Sequence, residues 1–212
     1  MTALNGNDMI AIIGAMKENI VSSRERLIQL DSAIGDGDLG ITLSRGFTEI
    51  HKTLSESPEQ EVGKILIRAG MVLAKTAPST MGTLLAGGFM KAGKTVKDKQ
   101  EVDLEDILNI LNEFTTAISD RGKAEPGDKT ILDVLVPAVH VLHSAVSEGK
   151  TLPEGLSDAY HAAVKGAEST KGMIAKHGRP SYYGENSVGK EDPGAAVGVL
   201  IMKAFAEYTN VE

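Results

Sequence analysis

Three aspartates stand close together in one short polar segment of the sequence. Asp31, Asp36 and Asp38 fall within eight residues, and the glycines among them permit the tight backbone that would point the carboxylates at one centre. Carboxylate oxygens without histidine or cysteine favour magnesium or calcium over zinc. Three such groups also repel one another unless a cation is present. The segment therefore predicts a cation site, and a plain turn that caps the next helix stays open as the simpler alternative.

Magnesium suits this segment better than calcium. A calcium loop of the helix–loop–helix type needs oxygen ligands at regular spacing and a closing glutamate, whereas position 40 is glycine and no glutamate follows before Glu49. Magnesium usually divides its coordination between a few carboxylates and the phosphates of a ligand. We therefore expect magnesium bound together with a phosphate compound.

A second segment, around Ser79 and Thr80, has the composition of a phosphate cradle. Hydroxyl groups and unpaired amides at the start of a helix attract an anion, because the helix dipole and the free N–H groups favour negative charge there. The spacing of a Walker loop is absent from the sequence. Phosphate binding and ordinary helix capping by either hydroxyl are both open for this segment.

Two further turns combine glycine with a cation and a carboxylate. The guanidinium of Arg179 suits phosphate, although a surface ion pair is the simpler role for an arginine beside a proline. Asp192 precedes Pro193 and is also a typical helix N-cap. We refer to residues 31–40, 78–82, 121–128 and 178–194 as the first, second, third and fourth turns.

Helical periodicity separates these turns. Apolar residues recur at spacings of three and four, and prolines stand mostly where such segments begin. The predicted helices are 8–30, 41–55, 59–76 after Pro58, 82–97, 104–120, 130–148, 154–177 and 194–209. Asn7 or Asp8 is the expected cap of the first helix, and Pro137 indicates a kink or a new helix start. Because loops between alternate helices of an up-down bundle emerge at one end, several turns are expected to converge.

Composition favours an all-α chain of 212 residues that forms a single domain. Sustained alternation of polar and apolar residues is absent, aromatic residues make up 4%, and residues 98–102 look like a short charged connection. A net charge of −7 argues against nucleic acid and anionic membranes as partners. Neither a signal peptide nor a membrane span is expected, and the lack of cysteine suits the cytoplasm.

Histidine and methionine carry less functional weight. His140 and His143 stand three residues apart without a third nitrogen ligand nearby, so we interpret them as partly buried helix residues and not as a zinc site. Four methionines are interpreted as core residues: Met71, Met81, Met90 and Met173.

Taken together, these segments resemble the DhaL family. Five motifs occur in the family's order over essentially the whole chain: Gly-Asp-Gly-Asp, Pro-Ser-Thr-Met-Gly, Gly-Asp-Lys-Thr-Ile-Leu-Asp, Gly-Arg-Pro-Ser-Tyr-Tyr-Gly and Asp-Pro-Gly-Ala. The resemblance implies an antiparallel barrel or bundle of eight helices, with ADP and two magnesium ions held by the loops at one end. It also implies that Asp31, Asp36 and Asp38 ligate the magnesium ions.

The same resemblance assigns the nucleotide contacts. They fall to Leu39, Gly40, Ile41, Thr42, Ser79, Thr80, Gly122, Ile131, Arg179, Asp192, Pro193 and Gly194. Catalytic roles are implied for the three aspartates and Arg179. Many relatives carry histidine where this chain has Leu39, so only a backbone contact is expected there.

A phosphotransferase activity follows from the resemblance. In the free subunits of the family, bound ADP is converted transiently to ATP by DhaM, a protein of the phosphotransferase system. The phosphoryl group then passes to dihydroxyacetone held by the DhaK subunit, a step of glycerol metabolism. The eight predicted helices account for the whole chain and leave no room for a substrate domain, so this chain resembles the free subunit. An ATP-dependent kinase subunit, a regulatory nucleotide-binding module that docks on a partner, and a homodimer all stay open.

Overall fold

The structure is almost entirely helical. The computed structural model describes residues 1–56 and 59–210. The α-helices in that part of the chain are α1 (Gly6–Ser22), α2 (Arg24–Ile34), α3 (Leu39–Glu56), α4 (Val62–Thr76), α5 (Thr80–Thr95), α6 (Leu104–Gly122), α7 (Leu132–Ser147), α8 (Leu152–Ser169) and α9 (Pro193–Thr209). Two short strands, β1 (Leu4–Asn5) and β2 (Glu101–Val102), pair antiparallel. The all-α prediction is confirmed. Within the described residues, no helix combines the length and apolar character needed to cross a membrane.

The helices pack mainly against their neighbours in the chain. From α3 to α9 each helix packs on the next, α1 packs on α3, and α9 returns to α1. Their apolar faces share one core, in which Phe89 makes edge-to-face contacts with Phe47 and Phe114 at centroid distances of 6.2 and 5.1 Å. This order of neighbours does not fix the tilt of the helices, so the barrel geometry stays a prediction.

The segment 8–30, predicted as one helix, forms two. Ser23 interrupts it with φ −92° and ψ 5°. The neighbouring Ser22 hydroxyl donates to the Asn19 carbonyl at 3.1 Å, and serine hydroxyls that bond back to the helix often bend it. Because Ile20 and Leu27 are buried on either side, the apolar pattern continues across the break and conceals it.

The predicted cap of the first helix was also wrong. Asn5 caps α1, because its side-chain oxygen accepts from the Asn7 and Asp8 N–H groups at 2.8 and 3.1 Å. Asp8 takes part only as the second member of the capping box, accepting from the Asn5 N–H at 2.8 Å.

Other helix boundaries also differ from the prediction. The helix expected over 154–177 ends at Ser169 and continues only as a 3-10 turn, Thr170–Gly172, where the Thr170 hydroxyl donates to the Ala167 carbonyl at 2.6 Å. A second 3-10 segment, Arg179–Ser187, lies within the fourth turn. Pro137 lies inside α7, so it does not start a new helix. Pro58, the expected start signal before 59–76, lies outside the described residues.

Candidate functional site

The four turns open onto one cavity of about 900 Å³. The first residues of α3, α5, α7 and α9 all line it: Leu39, Thr80, Leu132 and Pro193. The start of a helix carries N–H groups without an intrahelical partner and the positive end of the helix dipole. Four such starts around one cavity favour an anionic ligand. The expected convergence of the turns is confirmed.

The three aspartates of the first turn come together at the edge of this cavity. One carboxylate oxygen from each of Asp31, Asp36 and Asp38 lies within 4.8 Å of the other two. Asp31, near the end of α2, is buried and accepts from the Leu39 N–H at 3.2 Å, which ties it to the start of α3. Gly37 has a φ of 77°, a conformation that favours glycine. The turn therefore holds its carboxylates in one cluster.

The electrostatics of this cluster suit a cation. Desolvation of the carboxylate, together with the nearby carboxylates of Asp36 and Asp31, raises the pKa of Asp38 above its ordinary value. Arg179 offsets part of the charge, because its Nη2 lies 2.8 Å from Asp36 Oδ2. Since all the donor atoms are carboxylate oxygens, the cluster fits magnesium.

The second turn joins this cluster through the start of α5. Ser79 is the N-cap of α5, and its hydroxyl accepts from the Gly82 N–H at 3.1 Å. The capping reading of Ser79 is therefore correct. Ser79 and Thr80 also line the cavity, so capping by Ser79 is compatible with the hypothesis that this segment binds phosphate. The first N–H groups of α5 remain suited to an anion.

The fourth turn contributes Arg179 and the start of α9. Asp192 caps α9, with Oδ2 accepting from the Ala195 N–H at 2.7 Å. Burial raises the pKa of Asp192 to about 7. The residues from Asp192 to Gly194 line the cavity, and so does Arg179. This turn therefore places a cation and a helix start on the same cavity.

Asp128, the last residue of the third turn, contacts the two residues that directly precede the fourth turn. Its carboxylate lies 2.7 Å from Lys176 Nζ and 3.0 Å from His177 Nε2, and it accepts from the Glu125 N–H at 2.8 Å. The hydrogen bond from Lys176, followed by that from the Glu125 N–H, lowers the pKa of Asp128 to about 2. These contacts fix the two turns against each other beside the cavity.

Some lining residues gave no individual signal in the sequence, although Arg121 and Ala124 lie in the third turn. Leu84, Ile118 and Ala124 form an apolar part of the wall, and Arg121 and His177 add polar groups. The apolar residues come from separate helices and a turn, so their spacing resembles that of ordinary core residues. Lys129 also lines the cavity although its side chain is buried. Its place in the Gly-Asp-Lys-Thr-Ile-Leu-Asp motif hinted at a functional role but not at its burial.

Nine of the twelve residues assigned to the nucleotide line this cavity: Leu39, Ser79, Thr80, Gly122, Ile131, Arg179, Asp192, Pro193 and Gly194. The other three, Gly40, Ile41 and Thr42, do not line the cavity. They lie in the N-terminal helical turn of α3. Gly40 packs closely on α2 and Ile41 is half exposed. The Thr42 N–H donates to the Asp38 carbonyl at 2.9 Å.

Two minor interpretations were wrong. His140 and His143 are exposed on α7, because they lie on the face that turns away from the buried Ala138 and Leu142. Met71 is 61% exposed and therefore lies outside the core, whereas Met81 packs against it.

Comparison with known proteins gives a consistent result. The sequence matches the DAK2 domain family over residues 33–207. It is 36% identical to the Escherichia coli (strain K12) protein named PEP-dependent dihydroxyacetone kinase, ADP-binding subunit DhaL, over 86% of this chain and 87% of that protein. A relative in Listeria innocua, the ADP-binding subunit DhaL of PEP-dependent dihydroxyacetone kinase 2, is 37% identical over 89% of this chain and 88% of its own length.

A solved structure has the same fold. The dihydroxyacetone kinase of C. freundii, in complex with AMP-PNP and Mg²⁺, aligns with a TM-score of 0.72 and 26% sequence identity. The alignment covers 94% of this chain but 33% of that longer chain.

Proposed function

The chain belongs to the DAK2 domain family, and we propose that it is the ADP-binding, phosphoryl-transferring subunit of a dihydroxyacetone kinase. The observation that carries the proposal is the cavity where three carboxylates, the guanidinium of Arg179 and four helix starts meet. We propose that residues 1–212 act as a single nucleotide-binding domain in the cytoplasm. The relatives named as ADP-binding subunits match this chain over most of both lengths, which supports the proposal.

Asp31, Asp36 and Asp38 are proposed to hold two magnesium ions, which would supply positive charge for the diphosphate of ADP. Three carboxylates and a diphosphate carry about six negative charges, against four positive charges from two such ions, so metal is needed to bring these anions together. Magnesium held by these carboxylates would supply charge neutralisation for phosphoryl transfer. Asp31 is fixed by the Leu39 N–H, and Asp36 and Asp38 reach the cavity from the glycine-containing turn.

The other turns are proposed to position the phosphates and the base. The α5 start, with Ser79 and Thr80, offers N–H and hydroxyl groups to phosphate, and the α9 start from Asp192 to Gly194 offers a second set. Gly122 and Ile131, with the apolar wall, are proposed to contact the nucleoside. Gly40, Ile41 and Thr42 are proposed to act through their backbone.

Arg179 is proposed to stabilise the phosphoryl group during transfer. Its guanidinium is largely exposed and pairs with Asp36, so it lies beside the metal-binding carboxylates. A planar guanidinium can form two parallel hydrogen bonds with phosphate oxygens, and such bonds stabilise developing negative charge. The three aspartates and Arg179 are therefore the proposed catalytic residues.

Two partner proteins complete the proposed reaction. A DhaK-type subunit holds dihydroxyacetone, and a DhaM-type protein of the phosphotransferase system phosphorylates the bound ADP. ADP would thus act as a coenzyme that becomes ATP transiently. The named relatives depend on PEP, which supports this route. An ATP-dependent kinase is the second candidate, because a fold neighbour is a longer kinase solved with AMP-PNP.

The nucleotide and metal that survive purification test this proposal directly. Native mass spectrometry and metal analysis of the purified chain should find ADP and magnesium, with the ADP retained through extended dialysis and released by a chelator. A chain that emerges without nucleotide and does not bind Mg·ADP when it is added would refute the proposed function.

A further inference from the structure

Lys129 is a buried cation without a role in the chemistry above. Its residue surface is 1% exposed, and its φ of 62° is a left-handed conformation that is unfavourable for a residue with a Cβ. Such conformations persist where the surrounding structure holds them, and they concentrate at functional sites. Lys129 directly follows the third turn, so contacts that fix Lys129 also constrain the end of that turn.

The ammonium group of Lys129 binds two backbone carbonyls from another part of the chain. Lys129 Nζ donates to the Thr170 carbonyl at 2.7 Å and to the Lys190 carbonyl at 2.5 Å. The first carbonyl lies just after α8, and the second lies three residues before α9. Hydrogen bonds from a charged donor are stronger than neutral ones, and the low dielectric of a buried site strengthens them further.

Thr170 and Lys190 each make a further hydrogen bond to a segment that lines the nucleotide cavity. The Thr170 hydroxyl accepts from the Asp192 N–H at 3.1 Å, which fixes the residue that caps α9. Lys190 Nζ donates to the Ala33 carbonyl at 3.1 Å, two residues after Asp31. One buried ammonium group therefore connects the third turn, the fourth turn and the carboxylate-bearing first turn.

We infer that Lys129 is a positioning residue for nucleotide binding. By holding the Thr170 and Lys190 carbonyls, it fixes the start of α9 and the fourth turn over the cavity. The inference rests on the proposed function, because the affinity it explains is that for Mg·ADP. A purely structural lysine would instead lower the melting temperature and leave the affinity of the folded protein unchanged.

The test compares Lys129→Met with wild type and with a distant lysine. Isothermal titration of the nucleotide-free chain with ADP and magnesium should give an affinity lower by roughly 10- to 100-fold, as expected when a residue that orients a binding site is lost. Hydrogen exchange should become faster at the Asp192 and Ala195 amides and stay unchanged in α3 and α4. Lys203→Met, which removes an ammonium group near Asn19 and Glu207, should change neither measurement.

A second pair of variants decides the matter if Lys129→Met does not fold. Thr170→Val removes the hydroxyl that accepts from Asp192 without changing any charge, and Thr170→Ser keeps it. Thr170→Val should weaken Mg·ADP binding, whereas Thr170→Ser should bind Mg·ADP as the wild type does. Wild-type affinity in a folded Lys129→Met, or in Thr170→Val when Lys129→Met is unfolded, would overturn the inference. Failure of the wild-type chain to bind Mg·ADP would instead refute the proposed function.

Discussion

The two ends of the helical assembly satisfy their helix starts in different ways. At the distal end, which holds the starts of α1 and α6, capping is reciprocal. Asp106 donates its N–H to Asp103 at 2.9 Å and accepts the Asp103 N–H at 3.4 Å, and Asn5 and Asp8 repeat this arrangement. At the cavity end, each helix start has one side-chain acceptor without a reciprocal partner. One N–H from each of α3, α5, α7 and α9 is accepted by Asp31, Ser79, Thr130 and Asp192, respectively.

This difference separates stability from function. The distal end uses its own side chains to pair the first N–H groups of its helices, which stabilises the folded chain. The cavity end has single acceptors in place of capping boxes at the starts of α5 and α9, and it adds the clustered carboxylates. Natural proteins often concentrate such unfavourable features where binding needs them. Changes at the cavity end should therefore affect nucleotide binding, and changes at the distal end should affect only stability.

The largest effect is expected from the aspartate cluster. Asp36→Asn or Asp38→Asn should abolish retained ADP, with affinity lower by at least about 100-fold, because the loss of one carboxylate would weaken the proposed magnesium site and with it the binding of the diphosphate. Nucleotide content after gel filtration measures this, and circular dichroism should show an unchanged helical content. Asp158→Asn, which alters only an ion pair with Lys150, is the matched control. Stoichiometric nucleotide in both cluster variants would exclude these aspartates as the metal site.

Arg179→Ala should slow phosphoryl transfer by about 100-fold, the scale seen when one group that stabilises transition-state charge is removed. Arg179→Lys should rescue only part of the rate, since an ammonium group cannot form the paired hydrogen bonds. Single-turnover transfer from the bound nucleotide is the measurement, with Arg24→Ala as a control on an exposed ion pair. Normal transfer combined with a lower melting temperature would make Arg179 a structural residue.

Loss of a helix cap at the distal end should lower stability without affecting ADP binding. Asp103→Ala should lower the free energy of unfolding by about 1 kcal/mol and leave ADP affinity unchanged. Ser79→Ala at the cavity end should lower both quantities. Urea unfolding of the nucleotide-free proteins and titration with Mg·ADP provide the two values. If Asp103→Ala weakens ADP binding as much as Ser79→Ala does, the two ends do not have separate roles.

The smallest effect concerns acid stability at the junction of the third and fourth turns. Contacts with Lys176 and the Glu125 N–H lower the pKa of Asp128 from 3.8 to about 2. The ionised carboxylate therefore stabilises the fold fully above its ordinary pKa, and this contribution is lost as the pH falls toward 2. Because Lys176 is 62% exposed, the contribution should be no more than about 1 kcal/mol.

Asp128→Asn tests this directly. Its loss of unfolding free energy relative to wild type should be larger at pH 6 than at pH 2.5 in urea titrations. An equal loss at both pH values would show that the charge of Asp128 contributes nothing to stability.

Local patterns were sufficient to predict most of the helices and the four turns. The spacing of Asp31, Asp36 and Asp38 indicated their convergence, since a short glycine-containing segment allows few other arrangements. The break at Ser23 escaped prediction because the apolar pattern continues across it. The same limit applies to the end of α8, where hydroxyl-to-carbonyl hydrogen bonds decide where the helix stops.

Contacts between distant segments could not be predicted. The Lys190 side chain meets the Ala33 carbonyl across 157 positions, and Lys129 reaches Thr170 across 41. A lysine in a polar turn is usually exposed, so no sequence pattern predicted that Lys129 would be buried. Tertiary packing sets such contacts, and a single sequence does not reveal it.

The coenzyme role of ADP is the central claim and is tested most directly by reconstitution with a labelled phosphoryl donor. With ATP and dihydroxyacetone alone, the purified chain should form no product, because a small triose needs a separate pocket to align its hydroxyl with the phosphoryl group. Adding the dihydroxyacetone-binding subunit and the phosphotransferase donor should move the label into the triose while free nucleotide stays unlabelled. Robust turnover by this chain with ATP alone, or rapid exchange of its nucleotide with solution during turnover, would contradict the claim and favour an ATP-dependent kinase.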